Sequence, residues 1–142
     1  MAETFENLTV LLVDDEPFMR QLVERLLYDM GILNIIMACD GADAVEKLSA
    51  SGEQIDLMIL DLEMPNMNGF QVVQQVRKGV SDINPELPII ILTGHGQLDA
   101  VKAAVKLGVH GYLVKPMSRA ALEKRIKIAL SSGTIDPDVL PS

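Results

Sequence analysis

Five side chains at four places in the chain have the types and spacing to do chemistry. Asp14 and Asp15 follow the apolar run TVLLV, Asp61 follows LMIL, Thr93 closes IIILT and Lys115 follows YLV. Each stands where a short hydrophobic segment ends. Three carboxylates brought together repel one another and are costly to desolvate, so they need a cation, a shared proton or an ion pair. Lys115 can neutralise one charge, and an all-oxygen set of carboxylates suits Mg²⁺ or Mn²⁺. A hydroxyl and an ammonium beside that metal suit a tetrahedral oxyanion. Such a set is equipped for phosphoryl transfer, which depends on positioning and charge stabilisation. Aspartate itself can accept the group as an aspartyl phosphate.

Taken singly, each residue has a plainer reading. Asp15 could cap a helix, and Asp14 and Asp61 could start turns. Thr93 could simply end a β-branched strand, and Lys115 could be a solvated lysine before Pro116. These readings do not explain why all five fall at strand ends.

The elements that must hold them alternate five times between apolar strand and amphipathic helix. Strands are expected at about Thr9–Val13, Asn34–Ala38, Leu57–Leu60, Ile89–Thr93 and Tyr112–Val114. Helices are expected from Pro17 to about Met30, Ala42–Ala50, from Gly69 onward, Leu98–Leu107 and Ser118–Leu130. In the first helix Phe18, Leu22, Leu26 and Met30, with Val23 and Leu27, mark one apolar face. Pro17 suits a first turn, Gly31 a terminus, and Asp40 a cap for the second helix. The third and fourth strands are continuously apolar, as strands covered on both faces are. Alternation of strand and helix gives a parallel sheet with helices on both sides. In such a sheet the strands' carboxyl ends form the functional rim. Cys39 and Asp40, after the second strand, are remote from that rim's centre if this strand is an edge.

At 142 residues the chain has the length of one domain, and its 49% hydrophobic content fills an aliphatic core. The net charge of -8 offers no basic footprint for nucleic acid. Cys39, alone, reads as a small core residue. No apolar run approaches the roughly 20 residues of a membrane helix, and the acidic N-terminus lacks a signal peptide's basic region. A soluble cytoplasmic protein is expected, with residues 131–142 as a surface tail.

The segments VLLVDDEP, MILDLEMPNMNGF, IIILTG and GYLVKP resemble, in order and spacing, the receiver domain of two-component response regulators. The resemblance covers about Leu8 to Leu130. It implies a doubly wound (βα)5 flavodoxin-like sandwich with strand order 2-1-3-4-5. It implies that Asp61 accepts a phosphoryl group from a histidine of a sensor kinase or phosphotransfer protein. Mg²⁺ would be held by Asp14, Asp15, Asp61 and the backbone carbonyl of Glu63, with Thr93 and Lys115 contacting the phosphoryl group. Tyr112 occupies the aromatic switch position, and the side chains of Glu63 and His95 sit where the phosphoryl lifetime is tuned. The peptide before Pro116 is usually cis in relatives. Met117 stands where many relatives carry phenylalanine.

A stand-alone switch is the expected form, since the tail is too short for an output domain. Its downstream protein target would dock on the fourth helix, fifth strand and fifth helix, through Leu98, Val101, Lys102, Val105, Tyr112, Arg119, Leu122 and Lys124. A haloacid-dehalogenase-like phosphatase is the alternative, although that family wants a second aspartate where Glu63 stands. A flavin binder on the same architecture would need a Ser/Thr/Gly-rich loop in place of DDEP.

Overall fold

Alternation along each strand sends successive side chains to opposite faces, and here both faces find cover. In the computed structural model, which describes residues 5, 7–50, 55–64, 66–94 and 98–139, five strands form one sheet. They are β1 (Thr9–Val13), β2 (Asn34–Ala38), β3 (Leu57–Asp61), β4 (Ile89–Thr93) and β5 (Gly111–Val114). All pairings are parallel, in the order 2-1-3-4-5. The helices are α1 (Pro17–Asp29), α2 (Gly41–Ala50), α3 (Gly69–Arg77), α4 (Leu98–Leu107) and α5 (Arg119–Ser131). No helix among the described residues is long and apolar enough to cross a membrane.

Two cores result. Leu11, Val13, Met58, Leu60, Ile89 and Ile91 pack with residues of α2, α3 and α4, including Ala44, Val73, Val76, Val101, Ala104 and Val105. Val10, Leu12, Leu57, Ile59, Ile90 and Leu92 pack with Val23 and Leu27 of α1 and Leu122, Ile126 and Ala129 of α5. Three central strands, β1, β3 and β4, are buried along their whole length. That double cover explains their unbroken apolar sequences and fixes their ends rigidly.

Helix starts follow local chemistry. Asn68 accepts from the Gln71 backbone N–H at 3.1 Å, and the Gln71 side chain accepts from the Asn68 N–H at 2.9 Å, a reciprocal cap for α3. Ser118 caps α5 by accepting from the Ala121 N–H at 3.1 Å. Asp40 accepts from the Asp43 N–H at 2.8 Å, as expected of a cap for α2.

Some sequence expectations are corrected. Phe18 is 75% exposed and does not belong to the buried face of α1; in the same turn Met19 packs against the core instead. Cys39 is exposed and not a core residue, because it follows the edge strand β2. The surface tail needs no correction: the Ile135 N–H donates to the Val109 carbonyl at 2.9 Å, and Ile135 packs against the core.

Candidate functional site

The carboxyl ends of β1, β3, β4 and β5 bring Asp14, Asp61, Thr93 and Lys115 together. Asp14, Asp61 and Thr93 are buried. The Lys115 ammonium lies 3.0 Å from Asp14 Oδ2 and 3.2 Å from Asp61 Oδ2, bridging two carboxylates that would otherwise repel. The Lys115 N–H also donates to the Thr93 carbonyl at 2.8 Å, fixing the start of the lysine's stem. The peptide Lys115-Pro116 is cis.

Asp61 is the terminal residue of the central strand β3. Burial pushes its carboxyl up from 3.8 to about 6; Lys115 and the Glu63 N–H pull it down, while Asp14 adds to the rise. The Glu63 N–H donates to Asp61 Oδ1 at 3.2 Å. Burial lowers the Lys115 ammonium, but Asp14 and Asp61 outweigh it and hold the group above its ordinary value. The lysine therefore stays charged, and the aspartate titrates at about 6.

Gly69 explains how the chain returns so close to this strand end. A Cβ there would lie 2.7 Å from the Asp61 carbonyl oxygen and 2.7 Å from the Leu62 Cα. The Gly69 N–H donates to the Leu62 carbonyl at 3.1 Å, seating α3 against the end of β3. The intervening loop is tied sideways by the Asn66 amide, which donates to Asp40 Oδ2 at 3.1 Å. Asn66 has φ 66°, the left-handed region that asparagine tolerates.

The acidic corner is larger than the sequence reading made it. Carboxylate oxygens of Asp14, Asp15 and Glu16 lie within 4.8 Å of one another. Asp15 and Glu16 are exposed, while Asp14 is buried. Glu16 was not among the expected ligands; its signal was its place in the run DDE. All donors offered are oxygens, and two of the carboxylates, Asp15 and Glu16, face solvent without an ion pair among the described residues, a set that fits a hard cation. Glu63 is exposed. Thr93 Oγ1 donates to the Gly94 carbonyl at 3.3 Å. Tyr112 is half-buried against the α2–α4 core. His95 lies outside the described residues.

The expected docking face needs correction. Val101, Val105 and Leu122 are buried in the two cores and cannot meet a partner. Leu98, Arg119 and Lys124 are exposed, and Lys102 and Tyr112 are half-buried.

Five parallel strands in the order 2-1-3-4-5 flanked by five helices, with buried carboxylates at the carboxyl rim, make up the flavodoxin-like receiver fold. Residues 10–127 match the model of the response regulator receiver domain, and the chain belongs to that family, the phosphorylation-dependent switches of two-component signalling. It is 36% identical over 124 residues to the chemotaxis protein CheY1 of Helicobacter pylori, covering 87% of this chain and 97% of that protein. A response regulator receiver domain from Clostridium thermocellum superposes with a TM-score of 0.78 at 31% identity, covering 87% of this chain and 94% of that one. The chemotaxis response regulator CheY4 of Vibrio cholerae gives 0.75 at 33% identity, covering 87% and 98%. Receiver domains act as phosphoryl-accepting switches, and they generally bind Mg²⁺ at an acidic pocket. The match does not favour the haloacid-dehalogenase-like phosphatase.

Proposed function

We propose that Asp61 accepts the phosphoryl group, donated by a phosphohistidine of a sensor histidine kinase or phosphotransfer protein. The observation that carries this reading is the buried Asp61 at the tip of β3, bridged to Asp14 by Lys115. In the step, a carboxylate oxygen of Asp61 forms a bond to phosphorus as the phosphorus–nitrogen bond to imidazole breaks, and the imidazole leaves with the bonding pair. The acceptor must be ionised, and a carboxyl titrating at about 6 is largely so at neutral pH. Lys115 neutralises the incoming charge, and Thr93 donates its hydroxyl to a phosphoryl oxygen. Asp14, Asp15, Asp61 and the Glu63 carbonyl would hold Mg²⁺, with Glu16 within reach. The ion, when bound, offsets charge on the acceptor and the phosphoryl group.

Phosphorylation adds roughly -1.5 to -2 charges at a site with little room for them. Thr93 and Lys115 move to meet the group, and Tyr112 enters the space Thr93 leaves. Packed elements have discrete arrangements, so this small shift changes the surface formed by α4, β5 and α5. A downstream protein reads that surface through Leu98, Lys102, Tyr112, Arg119 and Lys124. Glu63 and His95 tune how long the phosphoryl group lasts. The chain is a stoichiometric acceptor with slow self-dephosphorylation, acting in the cytoplasm without direct contact to nucleic acid or membrane. Residues 1–130 form the receiver and 131–142 its tail.

The test is labelling with acetyl phosphate and Mg²⁺, followed by mass spectrometry. One phosphoryl group per chain is expected, acid-stable and base-labile, and lost in Asp61→Asn. Undiminished labelling of that variant would refute the assignment. Sustained turnover of a phosphate monoester would point to a phosphatase instead.

A further inference from the structure

Every polar atom of Asp14 is engaged. Its N–H donates to the Ala38 carbonyl at 3.2 Å, Oδ1 accepts from the Glu16 N–H at 3.0 Å, and Oδ2 meets Lys115. Its carbonyl accepts from Arg20 Nη1 at 2.7 Å. The first three contacts come from the rim itself. The fourth comes from the second turn of α1, and nothing in the proposed chemistry uses it.

Arg20 has more obvious partners. Glu16, at the N-cap of α1, and Glu24, within it, stand four residues before and after Arg20, the spacing at which helical ion pairs form. Among the described residues it forms neither pair, and its side chain makes one hydrogen bond, to the Asp14 carbonyl. That carbonyl belongs to the peptide joining Asp14 to Asp15. Holding it sets the plane of the peptide, because a peptide unit turns as a rigid body. The direction in which the Asp15 carboxylate leaves the chain follows from that plane.

We infer that Arg20 is a positioning residue for the acidic corner: by fixing the Asp14–Asp15 peptide, it aims the exposed Asp15 carboxylate at the cation. This rests on the reading of Asp14 and Asp15 as metal ligands. The guanidinium also places a positive charge at the main chain of the acidic corner, and the two roles have opposite signs. As a mere charge, Arg20 opposes a divalent cation, and its removal tightens binding. As a positioning group, it pre-forms the site, and its removal weakens binding.

The experiment measures Mg²⁺ binding by calorimetry on the unphosphorylated full chain, with thermal melting alongside. Arg20→Met keeps the stem and removes donor and charge. Its Mg²⁺ Kd is expected to rise several-fold, up to about tenfold, as for loss of a charge-assisted hydrogen bond. Arg20→Lys keeps the charge but lacks the planar fork, and is expected to weaken binding by a smaller factor. It also keeps the test open if Arg20→Met does not fold. A Kd unchanged or tightened in a folded Arg20 variant overturns the inference, even if its Tm falls. Asp15→Asn separates the two levels. If it leaves Mg²⁺ binding intact, the ligand reading fails; if it abolishes binding while the Arg20 variants bind as wild type, only the positioning role fails.

Discussion

Asp61 is costly to the fold that holds it. Its carboxyl titrates near 6 because burial disfavours its charge, against 3.8 for a free group. Between those values the native state binds more protons than the unfolded chain, so stability falls as pH rises from about 4 to about 6. At pH 7 without metal, the difference amounts to about 3 kcal/mol against folding. Asp61→Asn removes the titration and keeps the size of the side chain, and Lys115 keeps Asp14 as a partner. The variant is expected to be more stable than wild type at pH 7 without Mg²⁺, by up to that amount. The advantage should shrink on acidification and vanish below pH 4. Denaturant unfolding at several pH values checks it; a variant no more stable at pH 7 would mean that the buried carboxylate is already fully compensated. Functional groups commonly carry such a stability cost.

At the scale of the element, β3 and α3 meet through the absence of a side chain. Gly69 has no positive φ to explain it; what it supplies is space beside the Asp61 carbonyl and the Leu62 Cα. Gly69→Ala therefore pushes backbone against backbone at the acceptor. It is expected to lower stability by about 1–3 kcal/mol and to slow acetyl-phosphate labelling of Asp61, since α3 and the strand tip must part. Wild-type labelling with wild-type Tm would show that the loop relaxes freely. The glycine was legible in the sequence as a helix start, and so were the strand ends, because apolar runs broken by Asp or Lys state both burial and its limit. Less legible was which residues of an apolar stripe are covered. Phe18 matches the period of α1 yet is exposed, while Met19 beside it packs on the core, and periodicity alone did not choose between them. Val101, Val105 and Leu122 were expected on a docking face although their apolarity was already the sign of burial. Arg20 was invisible, because its hydrogen bond to a carbonyl depends on main-chain direction that residue type does not encode.

At the scale of the whole molecule, the two ends of the sheet are built differently. The carboxyl end carries the acidic rim. The amino end of β4 and β5 is fastened by Arg77, whose Nε donates to the Gly108 carbonyl at 2.8 Å and whose Nη1 donates to the Pro85 and Leu87 carbonyls at 2.8 and 2.9 Å. Beside it, burial and the Arg77 charge hold His110 below its ordinary pKa, and its Nδ1 accepts from the Ile89 N–H at 3.3 Å. The tail continues from α5 to this fastening and lines a cavity of about 510 Å³ with Arg77, His110 and Gly108, through Gly133 and Thr134. Its Ile135 then bonds Val109 and packs on the α4 side of the sheet, so the tail ties α5 to the segment that follows α4. Ending the chain at Ser131 removes that tie and leaves the α5 residues and the rim in place. The expected loss is about 1–3 kcal/mol, on the order of exposing one aliphatic side chain together with a lost hydrogen bond. Amide exchange should quicken around residues 104–110, while acetyl-phosphate labelling of Asp61 stays within a factor of about two, because no rim contact is touched. Unchanged stability and exchange would show that the tail is a passenger; labelling abolished in a folded truncation would show that the two ends of the sheet are coupled.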